Sequence, residues 1–392
     1  MTPPPSRLAG PAALGLAVLL VALMGPVADS VQPGQPAALV LTQPWLPAPG
    51  DPVLGVHGSG PALMILAAAA LLGAVAAGGW RLAGAAVAFA AFALAPGGVQ
   101  LALAWVALGA LVPAGPWPAR LAEDVLVLLA AAATAALPAG DGWLNPAQGV
   151  LQAPGAALAL CAAAALRSIR VSWTRTAQAE GVPGLLLLAS GPLLMLTVAE
   201  RWLAPAPATF AAVAVLFAVV GVARGWEGAT AALLMLPVVA MAPGELDTAS
   251  WSFAVTLAAA GLCFGRGVPA DLRALAPLAL VGAWLSPLDL ARGRCLEAVA
   301  GTAALPLSLV ALALAGVALG RTRPPPLEAR GSGWLWLVVG FTLAGLAFGP
   351  LRETLQAPFT PFWALPQRWN PLTGVAWLAA SAGLVVGVRR RP

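Results

Sequence analysis

The chain has 392 residues, of which 60% are hydrophobic and 9% are charged, and its mean hydropathy is +0.89. About a quarter of the residues of a soluble domain are charged, so this composition excludes a water-soluble globule. The net charge of +5 comes from 20 arginines, with no lysine, that lie between apolar runs, and we interpret them as topology signals and not as a nucleic-acid-binding surface.

Apolar runs separated by glycine, proline, arginine or acidic residues predict an all-α, polytopic bundle of about 14 transmembrane helices, since about 20 apolar residues cross a bilayer. The predicted spans are 10–28, 61–78, 81–96, 99–114, 122–139, 150–167, 183–199, 206–223, 226–243, 250–265, 272–288, 297–320, 333–350 and 372–388. No small-residue cleavage site follows the first run, which is therefore expected to remain as a helix.

The distribution of arginine predicts the orientation of these spans. Fifteen of the 20 arginines fall in segments on one side, and only Arg201, Arg292, Arg294, Arg352 and Arg368 fall on the other. Because cytoplasmic loops are enriched in arginine, both termini are expected in the cytoplasm. The membrane is expected to be a bacterial inner membrane.

The longer connections divide the chain into two predicted parts. Six prolines in 29–60, the longest outward loop, rule out a regular helix there. The stretch 321–333 predicts a cytoplasmic connector between a helical core, 1–320, and the last two spans in 321–392. Trp363 and Trp369 indicate an interfacial segment over 351–371.

Few residues could carry chemistry. His57 is the only histidine, and Cys161, Cys263 and Cys295 are scattered without a CxxC pair, so no metal site, cofactor site or catalytic triad is predicted. No phosphate-binding glycine loop is present either.

Acidic residues near the spans are candidates for a proton path, since an intramembrane acid is a functional candidate by default. Glu123 and Asp124 follow Arg120, and Glu200 adjoins Arg201, so solvated end charges or local pairs are the simpler interpretation. Glu227 and Asp289 complete the acidic candidates, and Glu297 also lies near a span end.

The most polar stretch is 167–181, which contains Arg167, Arg170, Arg175 and Glu180. It is interpreted as a cytoplasmic loop that obeys the positive-inside rule, or as the mouth of a charged half-channel or a docking surface. Arg167, Arg170 and Glu180 are therefore also candidates for a proton path.

Residues 43–66 resemble the segment before a membrane span in the antiporter-like subunits of proton-translocating NADH:quinone oxidoreductase, Mrp antiporters and membrane hydrogenases. The matching residues are Trp45, Pro47, Leu54, Gly55, Val56, Gly58 and Ser59, whereas His57 replaces the usual acid. The resemblance covers about 40–220, and the His-x-Trp-Leu-Pro-Asp-Ala signature of the family is absent.

Two departures from this family bear on function. The stretch 99–114 resembles the family helix that has an aromatic-rich run, a glutamate and then Leu-x-Pro. Trp105, Leu111 and Pro113 fit this pattern, but Gly109 stands at the position of the glutamate. Arg167 stands where the family has a lysine, with Glu180 and Gly181 as its Glu-Gly pair. Since neither replacement titrates, the resemblance implies a degenerate, structural subunit whose partners are the bilayer, other membrane subunits and quinone in the complex.

Two alternatives remain open. A stand-alone secondary transporter or channel would need broken or polar helices at the midplane, and Pro192, Pro237 and Pro306 interrupt spans without acidic neighbours. A membrane-embedded transferase acting on lipid-linked sugar would use an acid in the first outer loop, where Asp51 lies.

Overall fold

The computed structural model describes residues 15–16, 38–44, 53–59, 69, 80–95, 97–135, 154–201, 207–241, 246–264, 276–282, 287–322 and 371–390. A two-stranded antiparallel hairpin precedes the helices, with β1 at Ala38–Pro44 and β2 at Val53–Ser59. It occupies the proline-rich stretch in which no helix was expected, and it adds a small β element to the helical bundle.

The described part of the chain contains thirteen helices. They are α1 (Trp80–Ala93), α2 (Gly98–Leu111), α3 (Trp117–Ala135), α4 (Pro154–Thr174), α5 (Thr176–Glu180), α6 (Val182–Arg201), α7 (Pro207–Arg224), α8 (Trp226–Met241), α9 (Leu246–Phe264), α10 (Ala276–Val281), α11 (Pro287–Ala298), α12 (Ala304–Arg321) and α13 (Pro371–Arg389).

Five of these helices are long and apolar enough to cross a membrane, namely α4, α6, α7, α12 and α13. The apolar parts of α1, α2, α8 and α9 are shorter. The prediction of a multi-pass helical membrane protein is confirmed, and the total of 14 spans stays a prediction. Within the α6 span 89% of residues are buried, against 28% in α13, so α6 is central and α13 peripheral.

Most predicted spans that fall on described residues agree with the helices to within a few residues, but three predictions are wrong. The stretch 167–174 is the last part of α4 and not a loop. The span predicted over 272–288 is not one continuous helix in its described residues, because α10 ends before Gly282, a residue with φ +88°, and Pro287 begins α11. The predicted outer loop 289–296 belongs to α11.

Several predicted segments lie outside the described residues. The spans 10–28 and 61–78 fall there except for helical residues 15–16 and 69, as do the span 333–350, the segment 351–370 and nearly all of the connector 321–333. The division of the chain at residue 321 stays a prediction.

Glycines allow α12 and α13 to approach closely. A Cβ added at Gly316 would lie 2.9 Å from the Leu384 nitrogen, and one at Gly320 would lie 2.8 Å from the Val388 nitrogen. Residues later in α12 therefore meet residues later in α13, so the two helices run parallel. Close backbone approach through small residues is the usual way in which helices associate in a membrane.

Several basic helix ends lie at the same end of the bundle. Gly225, after α7, lies near Thr322, after α12, and the Trp226 indole donates to the Thr322 carbonyl at 3.1 Å. A Cβ at Gly387 of α13 would lie 3.0 Å from the Arg321 nitrogen. The parallel directions of α7, α12 and α13 agree with the predicted alternation of spans, and which side of the membrane this end faces remains a prediction.

Candidate functional site

A cluster of charged side chains lies inside the bundle where α2, α3, α4 and α6 meet. Arg167 and Arg170 lie one turn apart on α4, and Glu123 lies on α3. Arg167 and Glu123 are completely buried, and Arg170 is 6% exposed. We define these three residues with Arg120 and Asp124 as the buried charge cluster.

Glu123 is bound by both arginines of α4. Arg170 forms a fork with it, because its Nε donates to Oε1 at 2.6 Å and its Nη2 donates to Oε2 at 2.7 Å. Arg170 Nη1 also donates to the carbonyl of Ala114, in the connection between α2 and α3. Planar guanidinium groups favour this bidentate geometry with carboxylates, and charged hydrogen bonds are the stronger ones in proteins.

Arg167 contacts groups from all the surrounding helices. Its Nε lies 3.4 Å from Glu123 Oε2, its Nη1 donates to Ser190 Oγ at 3.4 Å, and its Nη2 donates to the Trp105 carbonyl at 3.1 Å. The guanidinium carbon lies 3.2 Å from the centroid of the Trp105 ring, which gives a cation–π contact. Every nitrogen of this buried cation therefore has a polar partner.

Asp124 joins the cluster at its more exposed edge. Its Oδ2 lies 3.5 Å from Arg120 Nε, which is the local pair expected from the sequence, and its Oδ1 lies 3.6 Å from Arg167 Nη2. The interpretation of Glu123 as a solvated end charge or a local pair is wrong, because its partners are on α4. The two buried arginines and the two acids balance in charge, and Arg120, 26% exposed in its side chain, adds one positive charge at the edge.

Gly109 of α2 lies directly beside these arginines. A Cβ added there would be 3.3 Å from Arg167 Nη2 and 3.6 Å from Arg120 Nε. The position where the resemblance places a missing glutamate therefore faces the position where it places a lysine. In this chain the carboxylates that neutralise Arg167 come from α3 instead.

The remaining candidates lie apart from the cluster. Glu227, at the start of α8, is completely buried, and its Oε1 accepts the Gln178 N–H of α5 at 2.9 Å. Glu180 is half-buried at the end of α5. Glu200 belongs to α6, but its side chain lies outside the described residues.

Asp289 is buried in α11 near Arg292 and the Gly282 turn. Arg292 donates to the carbonyls of Leu280 and Val281, the last residues of α10. A helix end leaves carbonyls without partners, so this arginine caps the broken helix. The structure thus places Asp289 in a separate charged site that stabilises the interruption between α10 and α11.

Sequence reasoning missed Ser190 and the stacking role of Trp105. Neither has a local signal, because Ser190 is one hydroxyl in an apolar run and Trp105 served only as a motif residue. Among the described residues no group of three or more histidine, cysteine, aspartate or glutamate side chains could hold a metal ion.

The groups of the cluster are bound to one another on two helices, α3 and α4. Arginine keeps its charge in proteins, whereas a group that relays protons must change protonation. Both Glu123 oxygens are bound by guanidinium groups, so its protonation would break the fork. The described arrangement is a closed set of ion pairs between α3 and α4.

Comparison with known proteins gives one kind of match. No family model matches the chain, and no curated protein matches it. Among solved structures, the chain is similar to a chain of the Mrp complex from Dietzia sp. DQ12-45-1b, with a TM-score of 0.61 and 17% identity. The match covers 98% of this chain and 56% of that one, so the two share a fold over little more than half of the larger chain.

Proposed function

We propose that this protein is a non-pumping, antiporter-like membrane subunit that seals or scaffolds an ion-translocating complex of the Mrp or NADH:quinone oxidoreductase type. The fold it shares with a chain of an Mrp complex supports the antiporter-like part. Its partners are the lipid bilayer and other membrane subunits, with quinone in a redox complex. Its location is the bacterial inner membrane, with both termini in the cytoplasm.

One observation carries the structural role, and it is the position of Gly109 beside Arg167 inside the bundle, where an added Cβ would lie 3.3 Å from Arg167 Nη2. A proton relay needs a pair of groups whose charges can change in a medium of low dielectric. Here glycine and arginine face each other, and Glu123 and Asp124 hold the arginine from α3. The buried groups of the cluster are neutral as a set without any protonation change.

The association with partners is tested by affinity purification from native membranes in a mild detergent. The proposal expects the chain to co-purify with other membrane subunits in fixed ratio. A chain that purifies alone and carries out ion-coupled transport would contradict it, and would favour the stand-alone transporter.

The mapping of the two departures is tested by restoring titratable groups. Gly109→Glu with Arg167→Lys is expected to create proton uptake in proteoliposomes, because both new side chains can change protonation at this buried contact. The matched control is Gly109→Gln with Arg167→Lys, which has nearly the same volume without the acid. Equal flux in the two double variants would contradict the mapping.

The sugar-transfer alternative depends on Asp51, which lies outside the described residues, and it needs its own test. An in vitro transfer assay with lipid-linked sugar is expected to give no product with the native chain. If the native chain forms product and the Asp51→Ala variant does not, the transferase hypothesis replaces the proposal.

A further inference from the structure

Two neighbouring parallel helices, α4 and α7, present apolar side chains on the outside of the bundle. Leu158 and Leu166 of α4 are 64% and 42% exposed, and Leu216 and Val219 of α7 are 46% and 50% exposed. Leu158 and Leu166 are eight residues apart and Leu216 and Val219 are three apart, which places each pair on one side of its helix. In a membrane protein such a face lies against hydrocarbon chains.

Both helices end in basic and aromatic groups at the same end of the bundle, where Trp173 and Arg175 are exposed and Arg224 is half-buried. Trp173, near the end of α4, is 55% exposed, and the Arg224 guanidinium of α7 lies 3.6 Å from its ring centroid. Arg175 follows directly after α4, is exposed, and has φ +54°. We call the seven residues Leu158, Leu166, Trp173, Arg175, Leu216, Val219 and Arg224 the α4–α7 face.

The two arginines of this face have no close carboxylate partner within the described part of the chain, and the positive charge of Arg175 acts on the buried Glu227 from beyond ion-pair distance. No ion pair joins Arg175 or Arg224 to a described acid, whereas Arg120, Arg167, Arg170 and Arg294 each have one. Stacking on Trp173 covers one face of the Arg224 guanidinium, so that an anion would be bound through the N–H groups at its edge. Guanidinium groups bind phosphate in this way.

From this combination we propose that the α4–α7 face is a binding site for an anionic phospholipid. Its acyl chains lie along the four apolar residues, Trp173 lies at the level of the headgroup, and the phosphodiester binds Arg175 and Arg224. Aromatic residues at the interface and arginines beside anionic headgroups are the groups that such lipids prefer. The site depends on membrane insertion and not on the proposed structural role.

Lipid is favoured over a protein partner because the chemistry changes along the face in the same order as along a phospholipid. The apolar part is aliphatic, the boundary is aromatic and the end is cationic. The basic ends of α12 and α13, with Arg321, Arg389 and Arg390, lie at the same end of the bundle and add to its positive potential.

The test uses the purified full-length chain in non-ionic detergent, titrated with phosphatidylglycerol and monitored by native mass spectrometry. We expect phosphatidylglycerol to bind at least tenfold more tightly than phosphatidylcholine. Arg175→Gln with Arg224→Gln is expected to weaken phosphatidylglycerol binding about 30-fold, from two lost headgroup contacts. The control Arg389→Gln with Arg390→Gln removes the same charge at the same end and is expected to weaken binding less than fivefold.

Three results would overturn the proposal. Equal losses in the two double variants would mean a diffuse electrostatic effect, and glycerol phosphate binding as tightly as phosphatidylglycerol would mean that the apolar face contributes nothing. Binding to the chain alone that disappears when it is purified with membrane partners would assign the face to a protein.

Discussion

Removing the carboxylate at the centre of the buried charge cluster is expected to destabilise the protein strongly. The Glu123 carboxylate lies 2.6 and 2.7 Å from nitrogens of Arg170 and 3.4 Å from Arg167 Nε, and both arginines are buried. Breaking a buried ion pair from one side costs about 3–5 kcal/mol, because a charge remains without its partner. Glu123→Gln keeps one acceptor and leaves Asp124 beside Arg167, so we expect about 3 kcal/mol.

The free energy of unfolding can be measured by titrating SDS into mixed micelles and following tryptophan fluorescence. The control is Glu297→Gln, since Glu297 pairs with Arg294 at 3.0 Å but is 48% exposed, and it should cost less than about 0.5 kcal/mol. The double variant Glu123→Gln with Arg170→Gln should lose less unfolding free energy than the sum of the losses in the two single variants. If Glu123→Gln is no more destabilising than Glu297→Gln, the cluster does not hold α3 and α4 together.

Two further predictions concern other contacts. Gly387→Ala should destabilise the protein by about 1–3 kcal/mol in the same SDS titration, because the new Cβ would lie 2.9 Å from the Gly320 Cα. The control is Gly155→Ala, whose new Cβ would meet no atom within 4 Å, and it should be neutral or stabilising. Arg292→Met should cost about 2–4 kcal/mol in the free energy of unfolding, because it leaves the Leu280 and Val281 carbonyls without this donor. The control is Arg294→Met, at a less buried arginine on the same helix, and equal unfolding free energies for the two variants would contradict the prediction.

The spans were predictable because apolar runs of membrane length have few competing interpretations. α7 and α12 end at Arg224 and Arg321, as expected where an apolar run reaches the interface. The spacing of the arginines also gave the relative directions of α7, α12 and α13. These features depend on local composition, which a single sequence contains.

The charge cluster could not be predicted in the same way. Arg167 and Arg170 resemble the start of a loop because charged residues normally end a span, yet α4 continues to Thr174. Their partner Glu123 is 44 and 47 residues away in sequence, whereas Arg120 offered a nearer explanation. Likewise the break between α10 and α11 depends on Arg292 capping the carbonyls of Leu280 and Val281, a contact that apolar patterning does not indicate.

The most direct test of the proposed structural role is proton flux through the native chain alone. The protein is reconstituted into liposomes that contain a pH-sensitive dye, and an ion gradient is imposed. We expect the flux to equal that of protein-free liposomes, because Arg167 and Arg170 hold Glu123 in a closed set of ion pairs. Gradient-driven flux that is well above this level and is lost in Glu123→Gln would contradict the account.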